Sequence, residues 1–235
     1  MGEWLDFLFL AVMPKLLAAV PVTLALTAAA AVIGNALAVP LALARVSPRL
    51  VLWLPAWLYI MLLRGTPLLV QIYLIYYGIG QLLPGTWVRH SFLWPYLREG
   101  FWYAVFALSL NTAAYSGEIL RAAIQAVPRG ETEAAAALGL RGRHILRFVT
   151  LPRALGICLP TMGGELILLL KSTSLASTIT VMDVLGTAQY LRTQTLHTYE
   201  PLLGAALIYV ALVFLLTRAL NRLERHLRPE LVRAA

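Results

Sequence analysis

Residues 131–152 read ETEAAAALGLRGRHILRFVTLP. The stretch packs acids, alanines and arginines into a chain that elsewhere is mostly hydrocarbon, and its placement decides how the rest is arranged. Pro128 and Gly130 punctuate its entry, and the alanines with Glu133 and Leu138 favour helix. ETEAAAALG therefore predicts a short helix of small side chains, with Gly139 leaving room for a turn or for the close approach of another chain. Pro152 permits the next helix to begin. An ordinary amphipathic surface helix has the same composition, so composition alone does not assign this segment a role.

The surroundings are apolar on both sides. Of 235 residues, 60% are hydrophobic and 13% charged, with a mean hydropathy of +0.77. A soluble domain has no means of hiding that much apolar surface, which places the chain in a bilayer. A spanning helix takes about 20 apolar residues, and five such segments stand out: Leu16–Ala44, Val51–Tyr77, Phe101–Ile124, Leu151–Leu170 and Leu202–Leu220. The expected fold is one all-α membrane domain over residues 1–235. The start, MGEWLDFLFLAVMPK, has acids where a signal peptide needs an early basic region, so the first span is expected to be retained. The single cysteine, Cys158, excludes an internal disulfide and a cysteine-based metal cluster, and it reads as packing.

Five spans put the termini on opposite sides, and the basic residues choose between them. Arg45 and Arg49 follow span one. Arg129, Arg141, Arg143, Arg147 and Arg153 lie between or beside spans three and four, and Arg218, Arg222, Arg225, Arg228 and Arg233 follow span five. The opposite side has Lys15, Arg89, Arg98 and Arg192. By the positive-inside rule the N-terminus is periplasmic and the C-terminus cytoplasmic, with the 129–152 loop in the cytoplasm. The net charge of +8 thus sets topology and leaves no basic patch for nucleic acid.

Spacing then gives the loop a role. Glu133-Ala134-Ala135, Gly139 and the following Val149-Thr150-Leu151-Pro152 resemble the EAA loop of bacterial ABC-importer permeases. RGTPLLVQIYLIYYG at 64–78, LNTAAYSGEILRAAIQAVPRGE at 110–131 and LLLKSTSLASTITVMDVLG at 169–186 resemble the polar amino-acid permeases, most closely those for arginine, histidine, lysine, ornithine and related opines. The likeness runs from about residue 15 to residue 228. It departs at Gly164, where the family commonly has asparagine, and at Ser172, where many relatives have an acid. The resemblance implies that residues 129–152 form coupling helices seated in a groove of a separate ATP-binding subunit, through Glu133, Ala134, Ala135, Gly139, Leu151 and Pro152. It also implies two ATPase copies carrying ATP and Mg, a second permease chain that is identical or related, a periplasmic binding protein, and a place in the bacterial inner membrane.

The chain has no G-x-x-x-x-G-K-[ST] sequence, so it holds no P-loop of its own. It has no Ser-His-Asp or His-Glu-x-x-His arrangement, and His90, His144, His197 and His226 read as solvated surface histidines. No cofactor, metal site or catalysed reaction is expected on it.

Several polar residues fall at membrane depth. Arg64-Gly65-Thr66-Pro67 interrupts span two, because proline removes a donor and frees carbonyls that lipid does not satisfy. The interruption is either a structural elbow or a broken helix lining a pathway, with Thr66 and Gln71 as pathway candidates. Asn111, Thr112, Tyr115 and Glu118 recur at roughly helical spacing and form a polar stripe. Arg121, three residues after Glu118, offers an intrahelical pair, the favoured reading of that acid. Glu165 lies among apolar residues with no base before Lys171. An ionised carboxylate there costs roughly 2.5–3.5 kcal/mol, so it calls for a partner, water or a proton. Lys171 or another span supplies the structural answer. The resemblance tips the balance to the cationic group of a ligand. The hydroxyls of Ser172, Thr173 and Ser174 either satisfy freed backbone carbonyls or donate to a substrate carboxylate.

The sequence therefore reads as the permease subunit of an ABC importer for basic amino acids. An ion-coupled secondary transporter is the rival; it explains Glu165 but not the spacing from Glu133 to Pro152, and one five-span chain shows no inverted repeat. A membrane scaffold explains the loop but not the buried acid.

Overall fold

The computed structural model describes residues 4, 6–82, 90–92 and 94–227. Arg89, Arg228 and Arg233 of the charge census lie outside the described residues. Among the described residues the secondary structure is helical throughout. Helix α1 is Phe7–Val46, whose first turns are π-helical. It is followed by α2 (Leu50–Gly65), α3 (Leu68–Leu82), the short α4 (Trp94–Leu97), α5 (Gly100–Gln125) and α6 (Arg129–Ala137). Helix α7 is Gly142–Ile179, then come α8 (Val184–Thr195) and α9 (Tyr199–Leu227).

Among the described residues three helices are long and apolar enough to cross a membrane: α1, α7 and the Tyr199–His226 part of α9. The segment read as span two is two helices, Leu50–Gly65 and Leu68–Gly78, bent by 105°, and makes a fourth crossing if the pair counts as one span. The bend follows from Pro67. Thr66 before it is extended, at φ −117° and ψ 147°, as the residue preceding a proline prefers. The segment read as span three is α5, which carries too many polar residues to pass as a lipid-facing span yet is the most enclosed helix of the bundle, with Ser109, Thr112 and Ser116 all buried. Its neighbours here are protein, so its hydropathy need not match lipid.

The α1–α5 contact is the most extensive in the molecule. Along α1 a row of mostly small residues, Thr23, Thr27, Ala30, Gly34, Ala38 and Ala42, is buried at helical spacing. Such a row lets two helix backbones approach closely. A Cβ placed on Gly34 would stand 2.7 Å from the Thr112 Cβ, and one on Gly117 would stand 3.5 Å from the Ala38 carbonyl oxygen. One apolar cluster joins Leu26, Ile72, Leu108, Leu169 and Ile179; a second joins Leu8, Leu16, Val184, Leu191 and Ile208. The chain thus folds α5 into the middle, with α1, α2–α3 and α7 around it.

Helix α7 starts at Gly142, ahead of the expected Leu151, because residues Leu146–Thr150 continue it as a π-helical stretch. Pro152 still opens the regular α segment Leu151–Ser172, at its first turn. The last part, Thr173–Ile179, tightens to a 3-10 helix and ends at Thr180, a left-handed residue at φ 69°.

Candidate functional site

The break between α2 and α3 frees carbonyls that lipid cannot satisfy. Gln71, which is 7% exposed, answers them. Its Nε2 donates to the Leu63 carbonyl at 2.7 Å, to the Thr66 carbonyl at 3.1 Å and to Thr66 Oγ1 at 2.9 Å. Thr66 Oγ1 donates to the Leu62 carbonyl at 2.8 Å. From α5, Asn111 Nδ2 donates to Gln71 Oε1 at 3.2 Å. The structure thus brings Thr66, Gln71 and Asn111 together, with the polar atoms of Thr66 and Gln71 directed to the elbow.

Next to that elbow, the Arg64 guanidinium lies over the Tyr115 ring, 5.0 Å from its centroid. Glu165 is half-buried on α7 and Lys171 is exposed. Among the described residues Glu165 makes no ion pair, with Lys171 or with any other base. Arg64, Tyr115 and Glu165 place a cation, an aromatic face and an acid on three different helices.

Glu118 is placed elsewhere. Arg121 Nε donates to its Oε1, the intrahelical pair expected from the spacing. A second cation, Arg45 from α1, approaches Oε2 at 3.5 Å and also stacks on Trp53, 5.0 Å from that ring's centroid. Sequence spacing shows the first partner and has no means of showing the second, which the α1–α5 packing supplies.

The hydroxyls at the end of α7 go to the backbone. Ser172 donates to the Leu168 carbonyl at 2.9 Å, Thr173 to Leu170 at 2.8 Å and Ser174 to Lys171 at 2.7 Å. They support the tightening from α to 3-10 geometry, the commoner use of such residues.

One buried polar cluster escaped the sequence reading. Asp183, 0% exposed, caps α8 by accepting from the Gly186 amide at 2.8 Å. Tyr209 of α9 donates to its other oxygen at 3.0 Å, and Thr23 Oγ1 of α1 accepts from the Val184 amide at 3.2 Å. Burial pushes the Asp183 carboxyl above the ordinary carboxylate range, against the pull of the Gly186 amide and the Tyr209 hydroxyl. The D-x-x-G pattern before a helix was the available signal, a capping aspartate.

The loop at 129–152 forms the short helix expected. Helix α6 ends in a complete Schellman turn: Leu140 N donates to the Ala135 carbonyl at 3.2 Å and Gly139 N to Ala136 at 2.9 Å. Gly139 sits at φ +82°, the left-handed conformation that this cap requires. Ala135 is buried, while Glu133, Ala134 and Gly139 face outward and Leu138 is 83% exposed. Arg153 of α7 pairs with Glu131 at 3.1 Å and ties the loop to the bundle. Leu151 is partly buried and Pro152 exposed; Pro152 lines a cavity of about 590 Å³ with Glu131, Phe148 and Leu159.

No group of three or more His, Cys, Asp or Glu fit to hold a metal exists among the described residues.

Residues 34–229 match the family model described as binding-protein-dependent transport system inner membrane component. The chain is 46% identical over 215 residues to the octopine transport system permease protein OccM of Rhizobium radiobacter, covering 92% of this chain and 86% of that one. It is 39% identical over 216 residues to the histidine/lysine/arginine/ornithine transport system permease protein HisM of Escherichia coli K12, covering 89% of each. Among solved structures, an amino acid ABC transporter with histidines superposes at a TM-score of 0.78, with 34% identity, over 91% of this chain and 94% of that chain. The chain therefore belongs to the inner-membrane permease components of binding-protein-dependent ABC importers, within the polar amino-acid group.

Proposed function

We propose that this permease carries basic amino acids or related opines across the bacterial inner membrane. The observation that carries the reading is the near-full-length likeness to permeases named for octopine and for histidine, lysine, arginine and ornithine. Five crossings are assigned: α1, the bent α2–α3 pair, α5, α7 and α9, with the N-terminus periplasmic and the C-terminus cytoplasmic. Helix α5 is counted because it is long enough, at 26 residues, and is shielded by its neighbours.

Glu165 is the acceptor for the substrate's cationic group. An acid that is half-buried among apolar residues and has no ion pair among the described residues is supported best by a charge that arrives with the ligand. Thr66, Gln71, Asn111, Tyr115, Glu118, Ser172, Thr173 and Ser174 belong to the pathway's surroundings. Thr66 and Gln71 hold its elbow, and Tyr115 holds the Arg64 guanidinium on its ring beside it.

The loop helix α6 and the turn at Gly139 engage an ATP-binding subunit, with Glu133 and Ala134 on the outward face and Leu151 and Pro152 leading into α7. Two such subunits carry ATP and Mg; a second permease chain and a periplasmic binding protein complete the importer. ATPase closure moves α6 and rocks the spans to expose the site on alternate sides.

The test is copurification with a P-loop ATPase, followed by uptake of labelled arginine into proteoliposomes with binding protein present. ATP-dependent uptake is the expected result. Uptake that follows an ion gradient and ignores ATP overturns the reading in favour of a secondary transporter.

A further inference from the structure

The outer side of α1 and α2 carries a groove with no role in the transport reading. It has a volume of about 460 Å³ and is lined by Leu37, Pro40, Leu41 and Ala44 of α1, by Leu52, Pro55, Ala56 and Tyr59 of α2, and by Leu110 of α5. The only side-chain polar group among these residues, the Tyr59 hydroxyl, donates to the Leu110 carbonyl at 2.7 Å, so the groove offers a ligand nothing but hydrocarbon. Its rim continues into exposed Val51 and Leu54.

One end differs. Beyond Ala44 and Leu52 stands the link between α1 and α2, where Arg45 lies over Trp53 and Arg49 is exposed. Among the described residues Arg49 has no side-chain partner; the contact it makes at Ser47 is through its backbone amide. A long apolar slot with a free cation at one end matches a molecule that is a chain with an anionic head. A soluble substrate would find no polar contact in the slot, and a protein partner would have to cover an unpaired guanidinium.

We propose that this groove holds one acyl chain of an anionic phospholipid, with the phosphate on Arg49. Basic pockets between transmembrane helices near the membrane surface select such head groups, each arginine contributing about five-fold in affinity. The proposal needs only that the chain sits in a bilayer and is independent of what it transports.

The complex, purified as it comes from the membrane, is exchanged into mixed phosphatidylglycerol and phosphatidylcholine, and the lipid retained on this chain is counted by native mass spectrometry. The wild type is expected to retain phosphatidylglycerol preferentially. Arg49→Gln, a change at an exposed side chain, should lower that preference about five-fold. Ala44→Leu, which fills the slot, should reduce retention of both lipids. Equal retention of the two lipids by the wild type, or an unchanged preference in Arg49→Gln, overturns the proposal. So does cross-linking of Leu52→Cys to a second copy of this chain, which would make the groove a protein interface.

Discussion

Arg64 lays its guanidinium over the ring of Tyr115, 5.0 Å from the centroid, while Glu165 of α7 makes no ion pair among the described residues. Lys171, the nearest base in sequence after Glu165, is exposed and makes no ion pair with it. Glu165→Gln should therefore weaken uptake of arginine, lysine and ornithine by about 10- to 100-fold, the worth of one charge-assisted contact. Assembly and basal ATP hydrolysis should persist, and Lys171→Met should transport normally. Uptake in proteoliposomes with saturating binding protein decides it: normal transport by Glu165→Gln would show that the carboxylate is not a ligand contact.

The turn after α6 makes a second prediction sharp. At φ +82° an L side chain is strained by about 1 kcal/mol or more, so Gly139→Val distorts the Schellman cap as well as adding bulk. Both it and Glu133→Lys should impair assembly with the ATPase or its stimulation by ligand, while membrane insertion stays intact. Complex formation on a sizing column and ligand-stimulated ATP turnover are the measurements. If both variants give normal values, the loop has no part in coupling.

Topology is open to chemical labelling. Cysteines introduced at Gly85, which lies outside the described residues, and at Gly142 in a Cys158-free background should react with an impermeant thiol reagent from opposite sides. Labelling of both from the periplasm would overturn five crossings.

The Asp183 cluster should report as stability. Asp183→Ala leaves the Gly186 amide and the Tyr209 hydroxyl without their acceptor, at a cost of about 1–3 kcal/mol for each buried group. Tyr209→Phe removes one hydrogen bond and should cost about 1 kcal/mol. Thermal unfolding in detergent should rank wild type above Tyr209→Phe and Tyr209→Phe above Asp183→Ala; equal midpoints would mean that the cluster does not hold α8 to α1 and α9.

The small-residue crossing of α1 and α5 predicts one further loss. Gly34→Val drives a branched side chain into Thr112 and should cost about 1–3 kcal/mol through overpacking. The same unfolding measurement checks it, and an unchanged midpoint would mean that the helices separate freely at that point.

Much of this was legible in residues 131–152 and their surroundings. Alanine-rich composition, Gly139 and Pro152 are local signals, and α6, its glycine turn and the start of the regular α segment at Leu151 follow from them. Glu118 with Arg121 was legible for the same reason, being three residues apart on one helix. Arg45 at Glu118 and Arg64 at Tyr115 were not, because each joins helices far apart in sequence. The 105° bend also lay beyond reach. Thr66-Pro67 announces an interruption, but its size depends on Gln71 and Asn111 closing around it in three dimensions. Asp183 escaped for a different reason: its capping signal is local, but its complete burial is a property of the packed bundle.

Gly100 and Ile179 meet with no side chain between them; a Cβ on Gly100 would overlap the Ile179 carbonyl oxygen. Bare backbone against backbone does not compress, so the start of α5 and the end of α7 have no slack. Helix α7 runs 38 residues from Gly142 to Ile179, about 57 Å at 1.5 Å per residue, and the loop sits at its far end. A tilt of one degree about Ile179 sweeps the Gly142 end through about 1 Å, by the same length. By the same geometry such a tilt moves the Gly142 end, next to α6, roughly two and a half times as far as Glu165, which lies nearer Ile179 along the helix.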